Sequence, residues 1–233
     1  MENDLKQAKA LFFDYFGTVV DWLSPIANAL VENAPAGCDV DWKEFAFKWR
    51  SSFFTVAPTL GDGNSVTFEE VQRRCLLESS SNNQWGWSED QINNLVQSWV
   101  LVVPWEDSAL GLRKLRQKYI CSTLSNGSTR LLVDASKRQN MEWDMFFASD
   151  LLQGYKPAPE VYQRAMKVLR LDPHECIMVA AHAYDLKAAA ALGMKTIYIP
   201  RATEDLGVNL DEYRFDKTIS SGGLMGLASV LID

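Results

Sequence analysis

The chain has 233 residues, of which 47% are hydrophobic and 23% charged, with 30 acidic against 23 basic side chains and a formal net charge of −7. At roughly 150 residues per domain this length fits one large domain or a core with a smaller insert, and the composition excludes disordered, collagenous and repeat architectures. The acidic balance argues against a nucleic-acid or anionic-membrane partner, because either needs a basic patch to neutralise phosphate; an anionic ligand must therefore meet a local cluster of positive charge. No apolar run approaches the ~18 residues of a spanning helix, and the start MENDLKQAK lacks the apolar stretch of a signal peptide, so a cytoplasmic protein is expected. The four cysteines, Cys38, Cys75, Cys121 and Cys176, show no CxxC spacing and read as reduced, buried thiols rather than a zinc site or a disulfide framework.

In chain order, the continuous apolar run Ala10 to Phe13 predicts a strand covered on both faces, ending sharply at Asp14 and a glycine-bearing turn, Phe16-Gly17-Thr18. Helix-start signals then recur at Ser24-Pro25, Asp41 with Glu44, Thr67 with Glu70, and Ser88 with Gln91, which predicts four successive helices. Trp42, Phe45, Ala46, Trp49 and Phe53 form one helical stripe, and Ile92, Leu95, Val96 and Trp99 another; both read as helix-bundle core. From Asp107 the rhythm alternates: helix 107–118, strand Tyr119 to Leu124, helix 128–139, a strand near Phe146 to Ala148, helix 159–170, strand Ile177 to Ala181, helix 184–192 and strand Lys195 to Ile199. That alternation predicts parallel βαβ units.

The expected fold is α/β: a Rossmann-like parallel sheet core of residues 1–20 and 106–233, with residues 21–105 inserted as a helical cap after the first strand. Ligands of such sheets lie beyond the carboxyl ends of the strands. Those ends carry Asp14, Ser125-Asn126, Lys156 after a longer loop, and His182 to Asp185. A carboxylate is a nucleophile only when ionised and held in line, and a lysine beside it serves both needs. Asp14 with Lys156 fits that requirement. His174, in the turn Asp172-Pro173-His174-Glu175, reads as a surface residue without a role.

Asp14-Tyr15-Phe16-Gly17-Thr18, Ser125-Asn126-Gly127, Lys156-Pro157 before a helix, and Asp185 after IMVAA resemble, in order, the four motifs of the haloacid dehalogenase (HAD) superfamily. The resemblance spans the whole chain. Phosphatases of that superfamily carry a second aspartate two residues after the first, which protonates a departing alkoxide, and a paired acidic fourth motif that helps to bind Mg²⁺. Here Phe16 replaces that acid, and Ala-His-Ala-Tyr-Asp offers Asp185 without an adjacent carboxylate. A phenyl ring cannot donate a proton, and such help is worth ~10²–10⁴ in rate; halide leaves without one.

The details therefore resemble the type II (S)-2-haloacid dehalogenases, which displace halide with the first aspartate and hydrolyse the resulting ester to an (R)-2-hydroxy acid without metal or cofactor. By that resemblance Asp14 is the nucleophile, Lys156 orients it, Thr18 and Ser125 position nucleophile and substrate carboxylate, and Asp185 activates water. Arg50, in the segment FKWR, resembles the family's cap arginine that cradles halide, with Asn126 and the ring of Tyr184 completing the cradle; Lys48 and Arg73 also fall on cap helices. Tyr162, six residues after Lys156, has the spacing of an active-site tyrosine. The implied partners are a small carboxylate and halide, and homodimers are common in the family.

The chain departs from the family pattern at the fourth motif, where a serine and an asparagine usually precede the aspartate but Ala180 and His182 stand here. His182 takes the place of that amide, either as a donor to substrate or water or as a group titrating near neutral pH that works with Asp185 as a base. Three alternatives stay open on the sequence: displacement on another small 2-substituted acid such as a strained cyclic amino acid, Mg²⁺-dependent phosphate hydrolysis, and a non-catalytic binding protein.

Overall fold

A computed structural model describes residues 2–60 and 66–232. After a first short helix, α1 (Glu2–Lys6), the run Ala10–Phe13 forms β1. All four of its residues are buried, and they alternate between two hydrophobic clusters: Leu11 and Phe13 pack on one side of the sheet, Ala10 and Phe12 on the other. This is the pattern of a central parallel strand with both faces covered.

The chain next forms a two-residue strand, β2 (Val20–Asp21), and then the helices α2 (Leu23–Glu32), α3 (Trp42–Ser51), α4 (Phe53–Leu60), α5 (Phe68–Ser79) and α6 (Glu89–Gln97). It returns through a 3₁₀ turn, Ser98–Leu101, to β3 (Val103–Pro104), which pairs antiparallel with β2. Three of the four predicted starts are capped as their sequences direct: Asp41 caps α3, and Thr67 and Ser88 form complete capping boxes on α5 and α6. The first differs. Helix α2 begins at Leu23, with Trp22 at its N-cap rather than Ser24. The stripe that includes Phe53 is also broken at Ser52, so Phe53 opens α4 instead of closing α3.

The remainder alternates: α7 (Ser108–Leu115), β4 (Ile120–Leu124), α8 (Thr129–Arg138), β5 (Met145–Phe147), α9 (Ser149–Leu152), α10 (Pro159–Leu169), β6 (Cys176–Ala180), α11 (Ala183–Ala191), β7 (Lys195–Tyr198), β8 (Lys217–Thr218) and α12 (Gly223–Leu231). The sheet is six-stranded, in the order β5-β4-β1-β6-β7-β8, and every pairing is parallel. Phe13 stands level with Thr123 on one side and Val179 on the other, so the segments after β1, β4 and β6 leave the sheet side by side.

The loop between β1 and β2 is anchored from three directions. Trp105 Nε1 donates to the Gly17 carbonyl (2.9 Å), Ser108 Oγ to that of Val19 (2.7 Å), and Arg201 Nε to that of Thr18 (2.9 Å). Arg201 is fixed in turn by a bidentate pair with Asp107 (2.6 and 2.8 Å), whose carboxylate also accepts from Leu224 N at the start of α12. The free cysteines pack as thiols, with Cys75, Cys121 and Cys176 buried; Cys38 is only half-buried. Among the described residues no helix is long and apolar enough to cross a membrane.

Helices α7 and α12 touch at Gly111, where an added Cβ would lie 2.5 Å from the Leu224 carbonyl carbon and 2.6 Å from its Cβ. Gly111→Ala therefore forces the two helices apart. It is expected to cost about 1–3 kcal/mol, seen as a lower midpoint in denaturant unfolding with an unchanged slope.

Candidate active site

The ends of β1, β4 and β6 and the loop before α10 deliver side chains to one buried point. Asp14, one residue beyond β1, is held by its own N–H on the Val179 carbonyl (3.0 Å). Its Oδ1 accepts from Lys156 Nζ (2.8 Å), while its Oδ2 accepts from Thr18 Oγ1 (2.7 Å) and faces His182 Nδ1 (3.0 Å). Thr18 is itself fixed, accepting the Ala181 N–H (2.8 Å). Lys156 Nζ also pairs closely with Asp185 Oδ2, and Tyr162 donates its hydroxyl to Asp185 Oδ1. The ammonium thus lies between two buried carboxylates.

Burial alone favours a protonated Asp14, yet the charges of Lys156 and His182 outweigh it and hold this carboxyl well below the usual range. Asp185 moves the other way: burial raises it, and the attraction of Lys156 is partly cancelled by the neighbouring Asp14 anion. Carboxylates pushed apart in this manner take different roles, the lower as a permanent anion and the higher as the group that accepts a proton. Lys156 would lose its proton to burial but is held charged by Asp14 and Asp185. The Tyr162 hydroxyl is pushed up by burial and by Asp185, so it remains a donor.

Asn126 binds Lys156 rather than facing open space alone. Its Oδ1 accepts the Lys156 N–H (2.6 Å) and its Nδ2 donates to the Lys156 carbonyl (3.2 Å), clamping the segment that carries the ammonium. Ser125 Oγ accepts the Gly127 N–H (3.2 Å) and its side chain lines the cavity above Asp14. The ring of Tyr184 packs edge-on against Phe54 (5.4 Å) and tilted over His182 (5.6 Å).

That cavity, of about 40 Å³, has a floor of Asp14, Ser125, Asn126 and Lys156 and a roof from the inserted helices: Arg50 of α3, Phe53 and Phe54 of α4, Phe68 and Gln72 of α5, and Trp99. Phe16 lies inside it, stacked on Phe68 (5.7 Å, 5°) and edge-on to Trp99 (5.6 Å). Aromatic rings around the charged floor lower the local polarity and strengthen the charge interactions within.

Among the cap cations weighed in the sequence, Arg50 reaches this site. Lys48 donates to the Ser79 carbonyl (2.9 Å), and Arg73 pairs with Glu89 (2.6 Å). Arg50 NH1 pairs with Glu204 (2.6 Å), NH2 donates to the Phe16 carbonyl (3.3 Å) and lies 3.2 Å from His182 Nε2, and its guanidinium stacks 4.5 Å over the Trp22 ring. Glu204, on the loop after β7, also accepts from Trp22 Nε1 (2.7 Å) and lies 2.7 Å from His182 Nε2. Glu204 is not among the strand-end residues expected from the sequence, because it lies well along the loop that follows β7. The roof residues Phe54, Phe68 and Gln72 were likewise missed.

Among the described residues no three or more His, Cys, Asp or Glu side chains are grouped to hold a metal ion. The position between Asp14 and Asp185 is taken by the Lys156 ammonium, so these residues do not fit a hard divalent cation as they stand.

A family model described as haloacid dehalogenase-like hydrolase matches residues 8–193. The chain belongs to this family. This HAD hydrolase is similar to a solved defluorinating L-2-haloacid dehalogenase, with 32% identity, 97% of this chain and 96% of that one covered, and a TM-score of 0.85. It is also 26% identical over 211 residues to (S)-2-haloacid dehalogenase 4A of Burkholderia cepacia, covering 89% of this chain and 87% of the relative. A glyceraldehyde 3-phosphate phosphatase of Pyrococcus furiosus is 26% identical over 204 residues, covering 83% and 81%.

Electrostatics of the HAD site give a pH signature. Burial opposes charge on His182, but the Asp14 anion and hydrogen bonds to Asp14 and Glu204 prevail, raising it from 6.5 to about 9. A raised cationic pKa gives stability that is complete below about pH 6.5 and lost as pH rises through about 9. Thermal melts are expected to fall between those limits, and His182→Asn to flatten that decline.

Proposed function

We propose that this hydrolase removes halide from small (S)-2-haloacids through an ester on Asp14, giving (R)-2-hydroxy acids. The single observation that carries the reading is the pairing of an ionised Asp14 with an aromatic enclosure in which Phe16 occupies the place of a proton donor. A leaving group that needs no proton suits that enclosure. One that leaves as alkoxide does not.

The two oxygens of Asp14 are unequal. Oδ2 is occupied by Thr18 and His182, whereas Oδ1 has the single donor Lys156 and is the freer to attack. In the first step Oδ1 bonds to C2 from the face opposite the halogen, the carbon–halogen bond breaks, and its electron pair leaves on the halide. Backside attack inverts the centre. The substrate carboxylate is met by the Ser125 hydroxyl and by Lys156 and Arg50, which line the cavity although each is also paired with a carboxylate of the site. The departing halide moves toward the roof, where the edges of aromatic rings and the Arg50 guanidinium favour an anion. In the second step water attacks Cγ of the ester and gives its proton to Asp185, whose raised pKa suits it as base. The proton then passes to the hydroxy acid, and one acidic proton is released overall with the halide.

The phosphatase relative makes the rival reaction worth a direct comparison. Halide release from (S)-2-chloropropionate, and not from the R form, is expected, unchanged by EDTA and reduced to background in Asp14→Asn. Nitrophenyl phosphate is expected to stay uncleaved with Mg²⁺ added. Release from neither enantiomer, or Mg²⁺-dependent phosphate cleavage, overturns the reading.

A further inference from the structure

Glu204 is buried and its carboxylate is fully engaged. Oε1 accepts from Trp22 Nε1 (2.7 Å) and Thr203 Oγ1 (2.9 Å); Oε2 lies 2.6 Å from Arg50 NH1 and 2.7 Å from His182 Nε2. The loop after β1 is shaped around it. Gly17 has φ +86°, and a Cβ there would stand 2.4 Å from Glu204 Cδ. His182 therefore has a carboxylate at each ring nitrogen, Asp14 at Nδ1 and Glu204 at Nε2. The charged and titratable groups facing its ring are Asp14 from the end of β1, Glu204 from the loop after β7, Arg50 from α3 and Tyr184 from its own helix.

We propose that Glu204 is a positioning residue for ester hydrolysis: by accepting Nε2–H it keeps His182 a doubly protonated donor, so that His182 Nδ1–H and Thr18 Oγ1–H together form an oxyanion hole around Asp14 Oδ2. This rests on the aspartyl-ester reading given above. When the water oxygen bonds to Cγ, the π electrons of the ester carbonyl move onto Oδ2, where those two donors already point. Collapse restores the carbonyl and breaks Cγ–Oδ1, and the hydroxy acid leaves with the electron pair on Oδ1 and takes up the proton held by Asp185. His182 keeps its proton throughout. A charged donor in this place attracts the developing oxyanion more strongly than a neutral amide does.

Arg50 NH2 lies 3.2 Å from His182 Nε2, so two cations are neighbours, and the Glu204 charge between them is what reconciles them. With Glu204→Gln, Nε2 sheds its proton and accepts from Arg50 instead. Nδ1–H then remains, as a weaker neutral donor. The hydrolytic step is expected to slow by about tenfold rather than vanish.

The chain has two histidines, His174 and His182, so ¹⁵N-imidazole titration by NMR reads His182 directly. In the wild type it is expected to stay protonated beyond neutral pH and in Glu204→Gln to titrate lower by more than about one unit. With (S)-2-chloropropionate, rapid quench and intact-mass measurement of Glu204→Gln are expected to show ester accumulating in the steady state, kcat falling about tenfold, and the basic limb of the kcat profile moving down with the NMR value. In a His182→Asn background Glu204→Gln is expected to add no such change. A wild-type His182 that titrates at its ordinary value overturns the proposal. So does a Glu204→Gln variant with raised KM alone and unaltered pH limb and ester fraction, since that is the signature of a lost cap contact. If no haloacid labels the wild type while His182 still depends on Glu204, the hold on His182 stands and the ester reading fails.

Discussion

The site depends on one buried ammonium. Lys156 lies between Asp14 and Asp185, and without it two buried carboxylates would face each other with no cation between them, a placement that the ions themselves cannot sustain. Much else in the core serves that placement: Asn126 clamps the backbone on either side of it, Tyr162 binds the far oxygen of Asp185, and β1 and β6 are level so that Asp14 and the start of α11 converge on it. The same cation separates the two carboxylates in character. One is held as a lasting anion, and the other becomes the better proton acceptor.

The inserted helices supply a different physical contribution, a dry roof. Trp99 meets Trp49 and Phe68, and Phe16 of the loop after β1, edge-to-face, while it stacks on Trp22 and Phe68 stacks on Phe16. Into that apolar mass only a few polar groups enter, chiefly Arg50, and its charge is met by Glu204 from the core. Roof and floor are thus joined by an ion pair that also touches His182, so the packing of the cap and the chemistry at Asp14 share atoms.

Much of this was legible in the sequence because it is local. An apolar run broken by Asp14, a glycine turn, Ser125-Asn126 and Lys156 after predicted strands, and three capped helix starts each occupy a few consecutive residues. What escaped is non-local or too short to have a period. Glu204 meets Trp22 across 182 residues, and a single glutamate in a loop carries no pattern. The amide of Asn126 was assigned to halide by resemblance, whereas its backbone clamp on Lys156 exists only once the loops meet. Strands of two residues, β2, β3 and β8, show no alternation, and α12 opens on Gly222-Gly223, which reads as a loop. The spacing from Trp49 to Phe53 is helical, so the break at Ser52 between α3 and α4 leaves no mark in the pattern.

The ribbon of β2 and β3 has a topological result. Because Asp21 stands opposite Val103, the chain leaves the sheet domain and re-enters it at neighbouring points, about 5 Å apart by the spacing of antiparallel pairs. The roof is therefore grafted through a single doorway, and in connectivity alone a tight turn would close the domain behind it. Energetically the two are not separable in this way, since Phe16, Val19 and Val20 share one apolar cluster with Trp49, Phe68 and Trp99. The fold is modular along the chain and continuous in its interior, so a lineage exchanging one roof for another would have to rebuild the face on which it rests.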